Sequence, residues 1–352
     1  TTGELAVELE QLGHEVTMFA PRGSKAPSGG LYEIRRVVDG QTSREEEAVP
    51  ITRWRDQSVR LDVLHDMSLA AGAHSAACAA FECGRRGPAH LYTLNGISYH
   101  DPRPPADHNL VVVSEAARVH GDGRGAWYGT PYPNSWTGRL PRDEDRIWVV
   151  RYGRDPEFYR PCDSINECIL YVGRPHPAKG IQLILDLARS WPAQQFILAW
   201  HAAMPDHRAW ADRYAVQMNE LDNVSCVDLG TGPDHHERKR DLMAHARLFL
   251  HPNVYIDANP GSPIEAQLCG TPVVSWDRGG LRECSIQGET AILRPLPHKH
   301  WLDTEGTVRI LHAMCEEAFA LDRAKVRAYA DRDLSSRRMA MDYLAVYAKV
   351  IQ

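Results

Sequence analysis

Short, nearly continuous apolar runs recur along this chain with polar segments of helical length between them, and that rhythm limits the fold more than any other feature. In the first half the runs are LDVLHD (61–66), HLYTLNG (90–96), NLVVVSE (109–115) and RIWVV (146–150). In the second they are CILYVG (168–173), QFILAW (195–200), VSCVDLG (224–230), RLFLHP (247–252) and TPVVSW (271–276). Strands buried on both faces read this way, because helices cover both sides of a parallel sheet. An α/β architecture of doubly wound parallel sheets is therefore expected. Such sheets bind ligands at the carboxyl ends of their strands.

The rhythm breaks once, at RYGRDPEFYRP (151–161), a loop carrying two prolines. At 352 residues the chain has room for two domains of about 150 residues each. We place an N-terminal domain at 1–154, a second at 155–332 and a last helix at 333–352. In that helix Met339, Tyr343, Val346 and Tyr347 share a face. Between CILYVG and QFILAW, Ile181, Ile184, Leu185 and Ala188 define another amphipathic helix. The chain opens inside a third, with Leu5, Leu9 and Leu12 at helical spacing, ending at Gly13 before a strand at 15–20.

Composition narrows the function classes. Hydrophobic residues make up 43% and charged residues 24%, which suits a globular protein rather than a disordered or fibrous one. The formal net charge of -6 comes with no basic block, so nucleic acid is not an expected partner. The 8 cysteines show no C-x-x-C pair and no zinc spacing, so no metal site is expected, and reduced thiols point to the cytoplasm. No apolar run reaches the ~18 residues of a membrane span, which leaves only peripheral membrane contact open. No strand is followed by G-x-G-x-x-G, which argues against an NAD dehydrogenase.

Two segments could carry chemistry. In YVGRPHPAKG a strand ends at Gly173, Arg174 follows, and Lys179 and Gly180 open a helix. Two cations beside a helix start form a seat for a diphosphate; the alternative is a solvated surface turn. In IDANPGSPIEAQLCG, Asp257 and Glu265 stand with seven residues between them. There Ser262, Pro263 and Glu265 fit an N-cap, a first-position proline and the third residue of a capping box. A second reading has the amides from Gly261 through Ser262 and Pro263 to Ile264 face a phosphate while Glu265 accepts from ribose hydroxyls. A carboxylate has oxygens enough for both.

Together with GTPVVSWDRGGLRE, these segments resemble the retaining glycosyltransferases of family four. The resemblance continues through ELAVELEQLGHEVTMFAP, LDVLHD, TLNG, VVVSE, VVRYGRDPEFYRP and SRRMAMDYLAVYAKVI. It implies the GT-B fold: two Rossmann-like domains facing across a cleft. It also implies transfer of a sugar, with retention and without a metal or other cofactor, from a nucleotide-diphosphate sugar to a hydroxyl acceptor such as a glycan, a lipid-linked sugar or a small molecule.

By the same resemblance Arg174 and Lys179 neutralise the diphosphate, Glu265 holds ribose, Asp257 meets the donor sugar, Gly279 and Gly280 form a turn beside the donor, and His65 faces the sugar. His65 also reads as a satisfied strand-end histidine. Asp257 stands in place of the usual Glu, Met67 in place of a second His and Asn95 in place of a His after Thr-Leu; ANPGS replaces the customary Pro-Phe-Gly stretch. The family's first strand and glycine-rich loop are expected ahead of Thr1. A long Gly/Pro-rich loop (120–146) carries Trp127 and Trp136, whose faces suit an acceptor sugar or pin the loop. A nucleotide-sugar epimerase of the same fold, or a protein that binds the donor without turnover, fits the same motifs.

Overall fold

The computed structural model describes residues 2–21, 31–34, 61–67, 89–94, 109–120, 146–200, 205–230, 232, 234–297 and 303–351. The protein folds as two units, and the chain passes from the first to the second after Gly153 and returns to the first after Ser335.

The first unit begins with α1 (Thr2–Gln11), which buries Leu5 and Leu9 and is followed by a turn at Gly13, where φ is 91°. Its strands are β1 (Met18–Pro21), β2 (Leu31–Ile34), β3 (Val63–Asp66), β4 (Ala89–Leu94) and β5 (Asn109–Val112). A short helix α2 (Glu115–His120) and β6 (Ile147–Val149) follow. β1 and β2 pair in parallel, and β3-β4-β5-β6 form a parallel sheet in that order.

The second unit runs from Arg154 to Ser335. It contains β7 (Ile169–Val172), α3 (Ile181–Ser190), β8 (Phe196–Trp200), α4 (Pro205–Met218), β9 (Val224–Asp228) and α5 (His235–His245). After these come β10 (Leu248–His251), α6 (Gly261–Leu268), β11 (Val273–Trp276), β12 (Ala291–Arg294), α7 (Thr304–Ala318) and α8 (Arg323–Asp333). The last helix, α9 (Ser336–Val350), belongs to the first unit. There Met339, Tyr343 and Val346 pack against Leu5, Leu9 and Leu91.

Among the described residues, the six strands of the second unit are all parallel and stand in the order β12-β11-β10-β7-β8-β9. The first and fourth strands in sequence are thus neighbours at the centre, the doubly wound order with its topological switch between β7 and β10. Every residue of β7, β10 and β11 is buried, as their unbroken apolar runs predict. α3 buries Leu183 and Leu187 besides the four residues the helical spacing selects, because it packs both on the sheet and beside α7.

Candidate functional site

In a doubly wound sheet the crevice outside the switch point is formed by the loops leaving the two central strands. Here those loops are 173–180 after β7 and 252–260 after β10. They touch. Gly180 has φ 73°, and a Cβ there would lie 2.1 Å from the Pro252 carbonyl oxygen, so only glycine lets the backbones meet. The Val254 amide then donates to the Ala178 carbonyl at 3.0 Å. The intervening turn, Pro177–Lys179, is a single 3-10 turn capped by His176, whose Nδ1 accepts from the Ala178 amide at 3.2 Å.

This closure brings Lys179 under the second loop, where it is buried. Its Nζ donates to the Tyr255 hydroxyl at 2.5 Å, lies 3.3 Å from Asp257 Oδ2 and sits 4.6 Å from the Tyr255 ring centroid. Burial draws the ammonium below its ordinary pKa, and Asp257 opposes that shift. For Asp257 itself, burial works against the charge. Lys179 first, and then the Tyr255 hydroxyl, outweigh it and hold the carboxyl below the usual range. Asp257 is therefore an anion.

The backbone of Asp257 is fixed by Gly279 and Gly280. The Gly280 amide donates to the Asp257 carbonyl at 2.8 Å. A Cβ on Gly279, where φ is 59°, would fall 2.2 Å from that same oxygen, and one on Gly280 would fall 2.0 Å from the Ala258 carbonyl oxygen. In this structure the two glycines act as the seat of the Asp257 loop.

Behind Asp257 lies a cavity of about 10 Å³ lined by His251, Asn253, Tyr255, Trp276 and Arg278, among others. Both ring nitrogens of His251 and the Trp276 Nε1 are buried there and find no hydrogen-bond partner among the described residues. Burial, reinforced by Lys179, pushes the His251 pKa down to about 3, so the ring is neutral at pH 7. The unfolded chain binds this proton near pH 6.5 and the folded chain does not, so stability rises with pH across the window from about 3 to 6.5. Lowering pH from 7.5 to 5.5 is expected to cost about 1 kcal/mol through this one group. Urea unfolding of wild type and His251→Leu across that range checks it: the variant should lose this share of the pH dependence, and an unchanged slope would assign the dependence elsewhere.

Farther along the same loop, α6 starts at Gly261 with Pro260 as its N-cap and no side-chain cap. The expected capping box is absent. Ser262 lies one position inside the helix, Pro263 two, and Glu265 is paired elsewhere. Its Oε1 takes Arg154 Nε at 3.2 Å and its Oε2 pairs with Lys239 Nζ at 2.9 Å. Burial again opposes the charge, and Lys239 followed by Arg154 holds the carboxyl below its ordinary value. The segment bearing Arg154 is tied down by Arg327, which donates to the carbonyls of Pro156, Tyr159 and Leu268. At the helix start the amides of Gly261 and Ser262 have no acceptor within the helix, Pro263 has no N–H to offer, and Ile264 is the first residue whose amide lies one helical repeat from the N-cap carbonyl.

Residues 163–300, which hold this constellation except Arg154 and the Arg327 that braces its segment, match the family model described as glycosyl transferases group 1. Among curated proteins, the alpha-maltose-1-phosphate synthase of Mycolicibacterium smegmatis is 28% identical over 237 residues, covering 59% of this chain and 58% of that protein. The chain thus spans little more than half the length of that relative. Among solved structures, a glycosyltransferase from Rickettsia africae aligns over 100% of this chain and 94% of its own, with TM-score 0.70 and 15% identity. Anabaena HepE in complex with UDP-glucose aligns over 99% and 96%, with TM-score 0.65 and 15% identity. The fold is GT-B.

Within the GT-B framework, the sequence-selected residues fall into two groups. Lys179, Asp257, Gly279 and Gly280 meet at the switch point; Gly261, Ser262, Pro263, Ile264 and Glu265 form the adjoining helix start. Arg174 follows β7 but its side chain is exposed. His65 lies one residue before the end of β3 in the other unit, where Nδ1 bonds the Tyr347 hydroxyl at 2.8 Å and Nε2 bonds Thr93 Oγ1 at 2.7 Å. Both nitrogens of His65 are thereby tied to the sheet and α9. Asn95, Trp127 and Trp136 lie outside the described residues.

Residue type and spacing did not single out Tyr255, Asn253, Lys239 or Arg154. Tyr255 stands two residues before Asp257, so an alternation along an extended loop could have placed both side chains together. Nothing in the pattern of α5 distinguishes Lys239. Among the described residues no group of three or more His, Cys, Asp or Glu could hold a metal, and no helix is long and apolar enough to cross a membrane.

Proposed function

We propose that this chain transfers a sugar from a nucleotide-diphosphate sugar to a hydroxyl acceptor, with retention of anomeric configuration and without a metal ion. The observation that carries the reading is the pairing of a buried cation, Lys179, with a partly exposed anion, Asp257, at the switch point of a doubly wound sheet. Beside them stands a helix start whose first amides have no partner within the helix. The family match over 163–300 supports the same reading.

In this mechanism Lys179 and Arg174 take the negative charge that grows on the diphosphate as its bond to the anomeric carbon breaks. The free amides of Gly261 and Ser262, at the positive end of the α6 dipole, add partial positive charge. The departing diphosphate oxygen accepts the acceptor's proton while the new glycosidic bond forms on the same face. Catalysis then consists of stabilising the leaving charge and holding the acceptor in place, with no glycosidase-like carboxylate pair. Asp257 receives a sugar hydroxyl, and Glu265 fixes the ribose side of the pocket. The acceptor class is the one named from sequence, a glycan, a lipid-linked sugar or a small molecule.

The test is a thermal-shift panel of UDP-, GDP-, ADP- and dTDP-sugars followed by assay of nucleoside-diphosphate release, with and without EDTA. UDP-glucose, which the Anabaena protein binds, is the first donor to try. One donor is expected to raise the melting temperature by mass action and to be turned over equally in EDTA, giving a retained anomer by proton NMR. Stabilisation without release, in the presence of sugar acceptors, would make the chain a nucleotide-sugar binder; no stabilisation by any donor would end the reading.

A further inference from the structure

Asp257 is held through one oxygen. Its Oδ2 receives the Tyr255 hydroxyl at 2.6 Å, Lys179 Nζ at 3.3 Å and Asn253 Nδ2 at 3.3 Å. No hydrogen bond among the described residues reaches Oδ1. An ionised carboxylate oxygen offers about two lone-pair sites, so three donors saturate Oδ2 and leave the capacity of Oδ1 intact. The side chain keeps 23% of its surface exposed, so a ligand can reach that oxygen.

Tyr255 makes the shortest of the three contacts, and it is a directed one. Its hydroxyl accepts from Lys179 and donates to Asp257, so cation, phenol and carboxylate form one chain in which each bond polarises the next. Burial and the neighbouring Asp257 raise its own pKa well above 10, so the phenol stays a donor throughout the working pH range. An aspartate has one methylene less reach than a glutamate. Once its carboxylate is fixed at one oxygen, it has no freedom to turn both oxygens to a ligand.

We propose that Tyr255 is a positioning residue for the donor sugar: by fixing Oδ2 it makes Asp257 present Oδ1 alone, a single acceptor. The site would then select sugars that carry a free hydroxyl opposite Asp257 and reject those in which that hydroxyl is absent or alkylated. This inference rests on the glycosyltransferase reading, and its test separates the two.

The substitution Tyr255→Phe removes the hydroxyl and keeps the ring. In the first arm, protein labelled with carboxyl-¹³C aspartate is titrated without ligand, and Asp257→Asn identifies the signal. The Asp257 titration is expected to move to higher pH in Tyr255→Phe; an unmoved titration overturns the proposal whether or not the chain is a transferase.

In the second arm, kcat/KM is measured for UDP-glucose and its monodeoxy forms, or for the corresponding series of whichever donor the panel selects. Wild type is expected to lose at least ~10-fold on removal of one hydroxyl, and Tyr255→Phe to lose ~10-fold on the parent donor while distinguishing that deoxy form by less than ~3-fold. Affinity for the nucleoside diphosphate alone should change by less than ~3-fold. Equal losses for nucleoside diphosphate and donor, or unchanged discrimination against the deoxy sugar, overturn the proposal. Should wild type bind no nucleotide sugar, the transferase reading falls and the proposal's sugar selectivity with it, whatever the carboxyl titration shows.

Discussion

Replacing Lys179 with alanine is expected to lower kcat/KM for the nucleotide-sugar donor by roughly 30- to 1000-fold, the ~2 to 4 kcal/mol of a lost charge stabiliser in a desolvated site. Its place in the fold explains the size. Lys179 is held by a glycine-dependent closure of two loops, is buried, and reaches the Tyr255 hydroxyl and Asp257. Away from solvent its charge is poorly screened. Arg174 is exposed, and salt screens its effect, so Arg174→Ala is expected to cost about 10-fold or less and to weaken as ionic strength rises. Lys179→Arg should rescue only in part, because a longer, planar guanidinium does not reproduce the single ammonium that serves both the Tyr255 hydroxyl and Asp257. Single-turnover kinetics at two salt concentrations would check the ranking. Wild-type turnover in Lys179→Ala would sink the mechanism.

How much of this was visible before the fold was known depends on which force decides each feature. Buried parallel strands leave an apolar run whatever their neighbours are, so the strands at 63–66, 169–172, 248–251 and 273–276 stood out directly. β12, with only Ala291–Arg294 and a following Pro-rich segment, is an edge strand, and its short run resembles a loop. Lys179 and Asp257 could be selected by residue type and spacing, since a strand end and a helix start are local. Their contact through Tyr255 could not, because it depends on Gly180 meeting Pro252 from a distant part of the chain.

The helix start at 261 shows the opposite case. Ser262-Pro263-x-Glu265 satisfies every local rule for a capping box, yet Arg154 and Lys239 claim the carboxylate. A local preference worth ~1 kcal/mol gives way to the need to pair a buried charge. His65 is similar: its strand-end position was readable, but its two bonds come from β4 and from a helix near the far end of the chain.

For stability the largest expected effect is that of Glu265→Ala. The carboxylate is almost fully buried, and the side chains of Arg154 and Lys239 that contact it are only 16% and 15% exposed. Removing the anion leaves two cations facing each other in a largely dry site, with ~3 to 5 kcal/mol lost as the uncompensated charges are strained or resolvated. Glu265→Gln keeps the shape and can still accept from Arg154 but loses the charge, so a smaller loss is expected.

The same pair of variants tests the role of Glu265 as a ribose ligand. If Glu265 mainly braces Arg154 and Lys239, Glu265→Gln should lower the urea midpoint and weaken nucleoside-diphosphate binding in step with the disturbance of those cations, for a ribose and a 2′,3′-dideoxyribose ligand alike. If it holds ribose, wild type should discriminate between the two ligands and Glu265→Gln should not. Each oxygen already has a cation as partner, and each has a second lone pair, so the ribose contact can add to the brace without replacing it. The expected result is therefore a large stability loss in Glu265→Ala together with a measurable loss of ribose discrimination in Glu265→Gln. Full stability in Glu265→Ala would show that Arg154 and Lys239 find water or another anion once the carboxylate is gone.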